Sequence, residues 1–277
     1  MLLADFRKSL SLQANVVYAL MLREIHVTNG GTTLGYLWVM IQNGITMLIF
    51  WVMRTIMGRS PPHGISMFVF LLTGFGLFFF IRQCMKKCMG AVDSGKTLLI
   101  YPQVTPLDLL LACTLLSWLT QFVICMIFIA AALCLGEEIH ISSVTGIYAV
   151  LLLSFLLAVG LGLMCSVLVV YFPGMQRLMS YLMLPLMFIS GAFFTVDRFP
   201  HYIAEILVYN PILQLIEFFR GAMSHGYPVY AGCSWYYVTL FTLTTLAVGL
   251  LLERHVRPLR TVRQPQKKPE PRSRGRK

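Results

Sequence analysis

Between residues 144 and 171 the chain carries no charged side chain. A helix needs about 20 residues to cross the hydrocarbon core of a bilayer, and this run is long enough to do so. Five further apolar runs lie roughly at 34–57, 65–85, 109–135, 175–196 and 236–252. Only 12% of the residues are charged and the mean hydropathy is +0.75, whereas a soluble domain carries about 25% charged residues. A soluble globular fold is thereby excluded. The pattern predicts an all-α polytopic membrane protein of six transmembrane helices. The opening residues Met1-Leu2-Leu3-Ala4-Asp5-Phe6 lack the basic and apolar regions of a secretory signal, so the first span is expected to act as its own insertion signal.

Two regions depart from the spanning pattern. Residues 9–23 hold Gln13 and Asn15 among apolar residues and end in Arg23-Glu24, before Asn29-Gly30-Gly31 breaks the run. They read as an N-terminal interfacial helix lying on the membrane. The stretch 184–226 breaks twice, at Asp197-Arg198 with Pro200 and at Asn210-Pro211. The apolar pieces that result, about 202–209 and 212–223, are too short to span and carry Glu205 and Glu217. They read as two short re-entrant or gate helices between spans 5 and 6, because irregular backbone at membrane depth persists only where protein or a water-filled cavity satisfies it. An ordinary amphipathic loop outside the membrane is the alternative. Within this stretch Asn210 is placed to cap a helix with Pro211 at its first position. Glu217 and Arg220, three apart, are placed to pair.

The expected domains are thus 1–33, the interfacial helix; 34–252, the six-span body; and 253–277, a basic, proline-rich tail. The tail cannot bury a core and is expected to be disordered on the cytoplasmic side, against anionic lipid and not nucleic acid. The positive-inside rule supports cytoplasmic termini. Arg7, Lys8, Arg23, Arg82, Lys86, Lys87, Lys96 and Arg177 then fall inside, and Arg54, Arg59, Arg198 and Arg220 outside. On that topology the polar segment 90–108 faces the cytoplasm and the broken stretch faces out.

Gly90-Ala91-Val92-Asp93-Ser94-Gly95-Lys96-Thr97 matches the phosphate-loop pattern letter for letter. That motif works only where a buried strand leads in and a helix starts at the lysine, so that amides point at phosphates. Here Lys86-Lys87-Cys88-Met89 precedes it and Pro102 follows within a few residues. The match reads as a loop leaving span 2, not as a nucleotide site. The histidines are scattered, and Cys84 and Cys88 have no further ligands nearby to complete a metal set. The span centres hold no carboxylates, which argues against a proton relay. No catalytic, cofactor or metal residue is expected.

Several segments then fall into a known order. Arg23-Glu24 is followed by Leu34-Gly35-Tyr36-Leu37-Trp38, and Tyr101-Pro102-Gln103-Val104-Thr105-Pro106-Leu107-Asp108 precedes span 3. Phe172-Pro173-Gly174-Met175-Gln176 precedes span 5, and Asn210-Pro211 comes before Glu217 and Arg220. From about 17 to 252 the chain resembles the membrane subunits of ABC-2 type exporters, most closely the capsular polysaccharide export permeases of Gram-negative bacteria. The resemblance implies a multi-pass inner-membrane homodimer that pairs with two copies of a separate ATPase, which holds the ATP and magnesium. Periplasmic and outer-membrane export proteins are the further partners it implies. Residues 97–108 would insert into the ATPase as a coupling helix, with Arg23, Glu24, Tyr101, Pro102, Pro106 and Asp108 carrying the contact. Asp197, Pro200, Asn210, Pro211, Glu217 and Arg220 would form the outer gate. The basic tail departs from the family, whose members usually stop soon after the last span.

A glycan path should combine aromatic rings with polar groups. Tyr36, Trp38, Gln42 and Asn43 on span 1 are the candidate channel-lining residues, with interfacial anchoring of Tyr36 and Trp38 as the alternative. Other cargoes of the same transporter class, such as another glycan, a lipid or a drug, stay open on the sequence. So does a non-transport assembly role.

Overall fold

The computed structural model describes residues 2–27, 33–56, 58, 62–95, 104–137 and 139–262. Its helices in chain order are α1 (Leu2–Val27), α2 (Thr33–Ile56), α3 (Met67–Ser94), α4 (Pro106–Cys134) and α5 (Val144–Tyr171). They continue as α6 (Met175–Ile189), α7 (His201–Val208), α8 (Pro211–Met223) and α9 (Trp235–Val262). Short 3-10 turns occupy Pro62–Gly64 and Val196–Arg198. The architecture is all-helical, with no strand among the described residues.

Four helices, α3, α4, α5 and α9, are long and apolar enough to cross a membrane, and α7 with α8 make a fifth if that bent pair counts as one span. These four cover the expected spans 2, 3, 4 and 6. α2 fills the place of span 1 within a residue at each end. Span 5 is corrected. The expected 175–196 is a helix only through Ile189, a length of 15 residues. Gly191 takes φ +71 just beyond it, a left-handed conformation open to glycine without strain, and the chain turns back.

α3 is the axis of the bundle. It packs on α2, α4, α5, α6 and α8, and 89% of its most apolar stretch is buried, against 22% for α9. Cys84 and Cys88 meet α4 and α5 here. The Cys84 thiol donates to the Ala158 carbonyl at 3.3 Å and lies 3.2 Å from the Thr114 hydroxyl. α5 and α9 touch backbone to backbone. A Cβ on Gly160 would sit 2.9 Å from the Leu246 nitrogen, and one on Gly249 would sit 2.9 Å from the Gly160 carbonyl. Small residues allow this approach where lipid supplies no hydrophobic drive between helices.

Local chemistry sets the helix starts. Thr105 and Asp108 form a reciprocal capping box at α4 with Pro106 in its first turn. The Ser143 hydroxyl accepts from the Gly146 amide at 3.1 Å to start α5. Two helices outrun expectation. α3 continues through Ser94, so 90–94 is helix and not the anticipated loop. α9 continues through Val262, ten residues into the expected tail, and Glu253 and Val256 are buried in that extension.

Candidate functional site

A cavity of about 820 Å³ opens between α1, α2, α3 and α6. α3 supplies Arg82, Gln83, Lys86, Lys87, Gly90 and Ser94, a spacing that keeps one helix face toward the opening. α6 supplies Gln176, Met179, Ser180 and Met183 at the same period. α2 supplies Trp38, Gln42 and Asn43, and α1 supplies Glu24. Asn43 is buried and its Nδ2 donates to Gln83 Oε1 at 3.4 Å. The Arg82 guanidinium lies 4.7 Å from the centroid of Phe79, which holds it by cation–π attraction. Three of the four expected channel-lining residues therefore meet at this cavity. The backbone of Tyr36 lies on α2, but its side chain is outside the described residues.

Below the cavity α1 is pinned to the start of α4 and to the end of α3. Gln13 Nε2 donates to Asp108 Oδ1 at 3.2 Å, and Leu20, Leu109 and Ala112 are buried together beside Val16, Val17 and Met21. Arg23 donates to the Ser94 carbonyl at 2.8 Å, a cation placed on the carbonyl end of a helix as the dipole favours. Arg23, Glu24, Pro106 and Asp108 are thus drawn to one end of the bundle. Tyr101 and Pro102 lie outside the described residues.

The broken stretch forms a plug at the opposite end of α3. α7 and α8 meet at 98°, and the backbone freed at the break is satisfied by side chains. Gln214 Nε2 donates to the Val208 carbonyl at 2.7 Å, and its Oε1 accepts from the Ser234 amide at 3.0 Å. The Tyr237 hydroxyl donates to the Tyr209 carbonyl at 2.7 Å. Asn210 Oδ1 accepts from the Ile212 amide at 3.0 Å, with Pro211 in the first turn.

Arg220 is fully buried. It pairs with Glu217 at 3.1 Å and donates to the Gly191 and Phe194 carbonyls at 2.9 and 3.3 Å. Its guanidinium lies 4.1 Å from the centroid of Phe70, over which Arg54 also sits at 4.9 Å. The Tyr227 hydroxyl donates to Glu217 Oε2 at 2.9 Å. Burial, and then the nearby Glu217 charge, hold that phenol above its ordinary range. Asp197 reaches His63 Nε2 at 3.0 Å, and the His63 ring packs edge-on against Tyr227 at 5.4 Å. His63 itself takes φ 55, uncommon for a residue with a side chain. Pro200 sits at the N-cap position of α7.

Arg54 and Arg220, both counted on the outer side, are buried against the plug. Sequence reasoning missed the cavity role of Arg82, Gln83, Lys86 and Lys87, although their helical spacing was visible. It also missed His63 and Tyr227, which no local pattern marks. The phosphate-loop letters Gly90 to Ser94 lie within regular helix, so their amides are turned to intrahelical carbonyls and not gathered round a common point.

Fold and cavity together define a polytopic helical membrane protein with a polar recess in its bundle. The family model described as ABC-2 type transporter matches residues 15–224, and the chain belongs to that family. The polysialic acid transport protein KpsM of Escherichia coli is 33% identical over 249 residues, covering 90% of this chain and 96% of that protein. The capsule polysaccharide export inner-membrane protein CtrC of Neisseria meningitidis serogroup B is 26% identical, covering 90% of this chain and 93% of its own. The capsule polysaccharide export inner-membrane protein BexB of Haemophilus influenzae is 27% identical, covering 80% and 82%.

Proposed function

We propose that this chain is the membrane subunit of an ABC exporter that moves capsular polysaccharide across the bacterial inner membrane, powered by a separate ATPase. The cavity carries the reading. It is a recess of about 820 Å³ walled by amides, hydroxyls, cations and one exposed tryptophan, inside a bundle whose outer helix faces are apolar. Polar groups at membrane depth are costly and belong to a substrate path. Relatives of nearly equal length that are named for capsule polysaccharide export supply the cargo.

Two copies face each other across α2 and α6. Both helices leave long apolar faces open, including Ile41, Ile45, Ile49 and Val52 on α2 and Tyr181, Leu184 and Phe188 on α6. With α2 and the short α6 counted as crossings beside α3, α4, α5 and α9, the chain crosses six times and both termini lie in the cytoplasm. ATP-driven motion of the partner reaches the bundle through α1, residues 97–108 and the start of α4. The α7–α8 plug gates the outer side, and periplasmic and outer-membrane proteins take the polymer onward.

The test is the location of the polymer in a capsule-producing cell deleted for this gene. Labelled polysaccharide should accumulate inside and reach the surface again on complementation. Normal surface polymer in the deletion strain would refute capsular cargo, and absence of polymer everywhere would point to synthesis instead.

A further inference from the structure

His63 is the exposed end of a chain of contacts that runs inward to the fully buried Arg220. Its Nε2 meets Asp197 Oδ2 at 3.0 Å, and both side chains reach solvent, at 32% and 40% exposure. Its ring rests edge-on against Tyr227 at 5.4 Å. The Tyr227 hydroxyl donates to Glu217 Oε2, and the other oxygen of that carboxylate pairs with Arg220. Three separate segments meet at this imidazole. They are the 3-10 turn Pro62–Gly64 before α3, the 3-10 turn Val196–Arg198 before α7, and the loop between α8 and α9. The backbone at His63 is left-handed, with φ 55. A residue with a side chain stays in that region only where its surroundings hold it there, and the two contacts of the ring supply that hold.

We propose that His63 and Asp197 form a proton-operated latch that fastens the plug to the segment leading into α3. Histidine is the side chain that ordinarily takes up a proton between about pH 8 and 5. With the ring protonated, the contact is an ion pair joined by a charge-assisted hydrogen bond, roughly twice as strong as a neutral one. With the ring neutral, the charge attraction is lost and at most a neutral hydrogen bond remains. The latch is therefore set at acid pH and slackens as pH rises. The groups around the ring favour that sign. Asp197 faces it directly, and the Tyr227 phenol, held above its ordinary range by burial, stays neutral. Behind Tyr227 the Glu217 charge is balanced by Arg220, and the Cys233 thiol lies within electrostatic reach of both carboxylates. Arg198, next to Asp197, is exposed to solvent, where its charge is screened. An exposed ion pair is weak, which suits a contact that has to open and close. The inference rests on the reading of α7–α8 as the outer gate, on which the latch responds to pH outside the cytoplasm.

The latch is tested without a transport step. Hydrogen exchange is followed on the full chain in phosphatidylcholine nanodiscs at about pH 6 and about pH 8, with each rate divided by the intrinsic rate at that pH. In the wild type, protection of the amides in 196–209 should be about two- to fivefold higher at the lower pH. His63→Asn removes the charge and keeps a residue that tolerates the left-handed backbone. It and Asp197→Asn should show no step, and should stay at or below the wild-type value for the higher pH. His201→Gln removes the neighbouring histidine, which lies 3.6 Å from Glu205 on α7 itself, and should retain the full step. A step that persists in His63→Asn, or that disappears in His201→Gln, overturns the latch, as does equal protection of the wild type at both pH values. The gate reading fails separately. If the step is present and depends on His63, yet cells complemented with wild type or His63→Asn show the same surface polymer at both external pH values, the latch stands and the gating role of α7–α8 falls.

Discussion

Glu217 and Arg220 form a 3.1 Å ion pair in which neither side chain is more than 2% exposed. Every acceptor around Arg220 belongs either to that carboxylate or to the turn that ends α6, so the pair ties α8 to the 191–194 segment. Removing one partner leaves an uncompensated buried charge, at a cost of roughly 3–5 kcal/mol. Arg220→Ala should therefore lower the melting temperature of the purified protein strongly. Glu217→Gln, which keeps an acceptor for Tyr227 and Arg220, should cost less. The double variant Glu217→Gln/Arg220→Met should be less destabilised than the sum of its parts, as a double-mutant cycle would report. Additive effects would mean that the pair does not act as a unit.

The same plug explains Gly74. It lies one turn after Phe70 on α3, and a Cβ there would come within 2.6 Å of the Ala192 carbonyl and 3.0 Å of Arg220 Nη2. A backbone oxygen cannot swing aside as a flexible side chain can. Gly74→Ala should destabilise by about 1–3 kcal/mol although alanine is the better helix former. A rise in melting temperature would show that the plug moves away from α3 at no cost.

These two sites also show what could be read from the sequence. The Asn210-Pro211 cap and the Glu217–Arg220 pair were legible because their chemistry is local, within one helical turn. The end of α6 was not. An apolar run from 175 to 196 gives no sign that Gly191 turns back, because Arg220, 29 residues on, holds the Gly191 carbonyl. His63 and Asp197 are 134 residues apart and join only through tertiary packing. Trp38, Gln42 and Asn43 were found as a polar face on an apolar helix. Arg82, Lys86 and Lys87 were read only as charges on the cytoplasmic side, because only the placement of α2 and α6 shows that α3 ends beside a recess. Glu253 and Val256 are buried on the part of α9 beyond its apolar limit, which hydropathy does not record.

The phosphate-loop letters make a prediction by failing. Residues Gly90 to Ser94 are spent on the last turns of α3, and the Gly95 amide donates to the Ala91 carbonyl at 2.9 Å. Amides engaged in that way cannot cradle phosphate. Lys96→Ala in the permease should leave both polymer export and ATP hydrolysis by the intact complex unchanged, whereas the equivalent change in the ATPase partner should abolish both. Loss of ATP hydrolysis with the permease variant alone would restore the motif as a nucleotide site.

Asp108 makes the strongest case for coupling, because its carboxylate serves two helices at once. Oδ2 accepts from the Thr105 amide at 2.9 Å and from the Thr105 hydroxyl at 2.7 Å, which closes the start of α4. Oδ1 accepts from Gln13 at 3.2 Å, which fastens α1 to the same point. A push on either segment therefore reaches the other through one side chain. Asp108→Ala removes both functions and should cost about 1–2 kcal/mol through the lost cap. It should also lower the amount of polymer exported per ATP hydrolysed. Gln13→Ala keeps the cap and removes only the bridge, so it should lower that ratio with little change in melting temperature. Thr105→Ala removes the cap hydroxyl and keeps the bridge, so it should do the reverse. Measuring melting temperature and export per ATP on the three variants separates the roles. If Gln13→Ala leaves the ratio at its wild-type value, the bridge is structural and motion enters the bundle elsewhere.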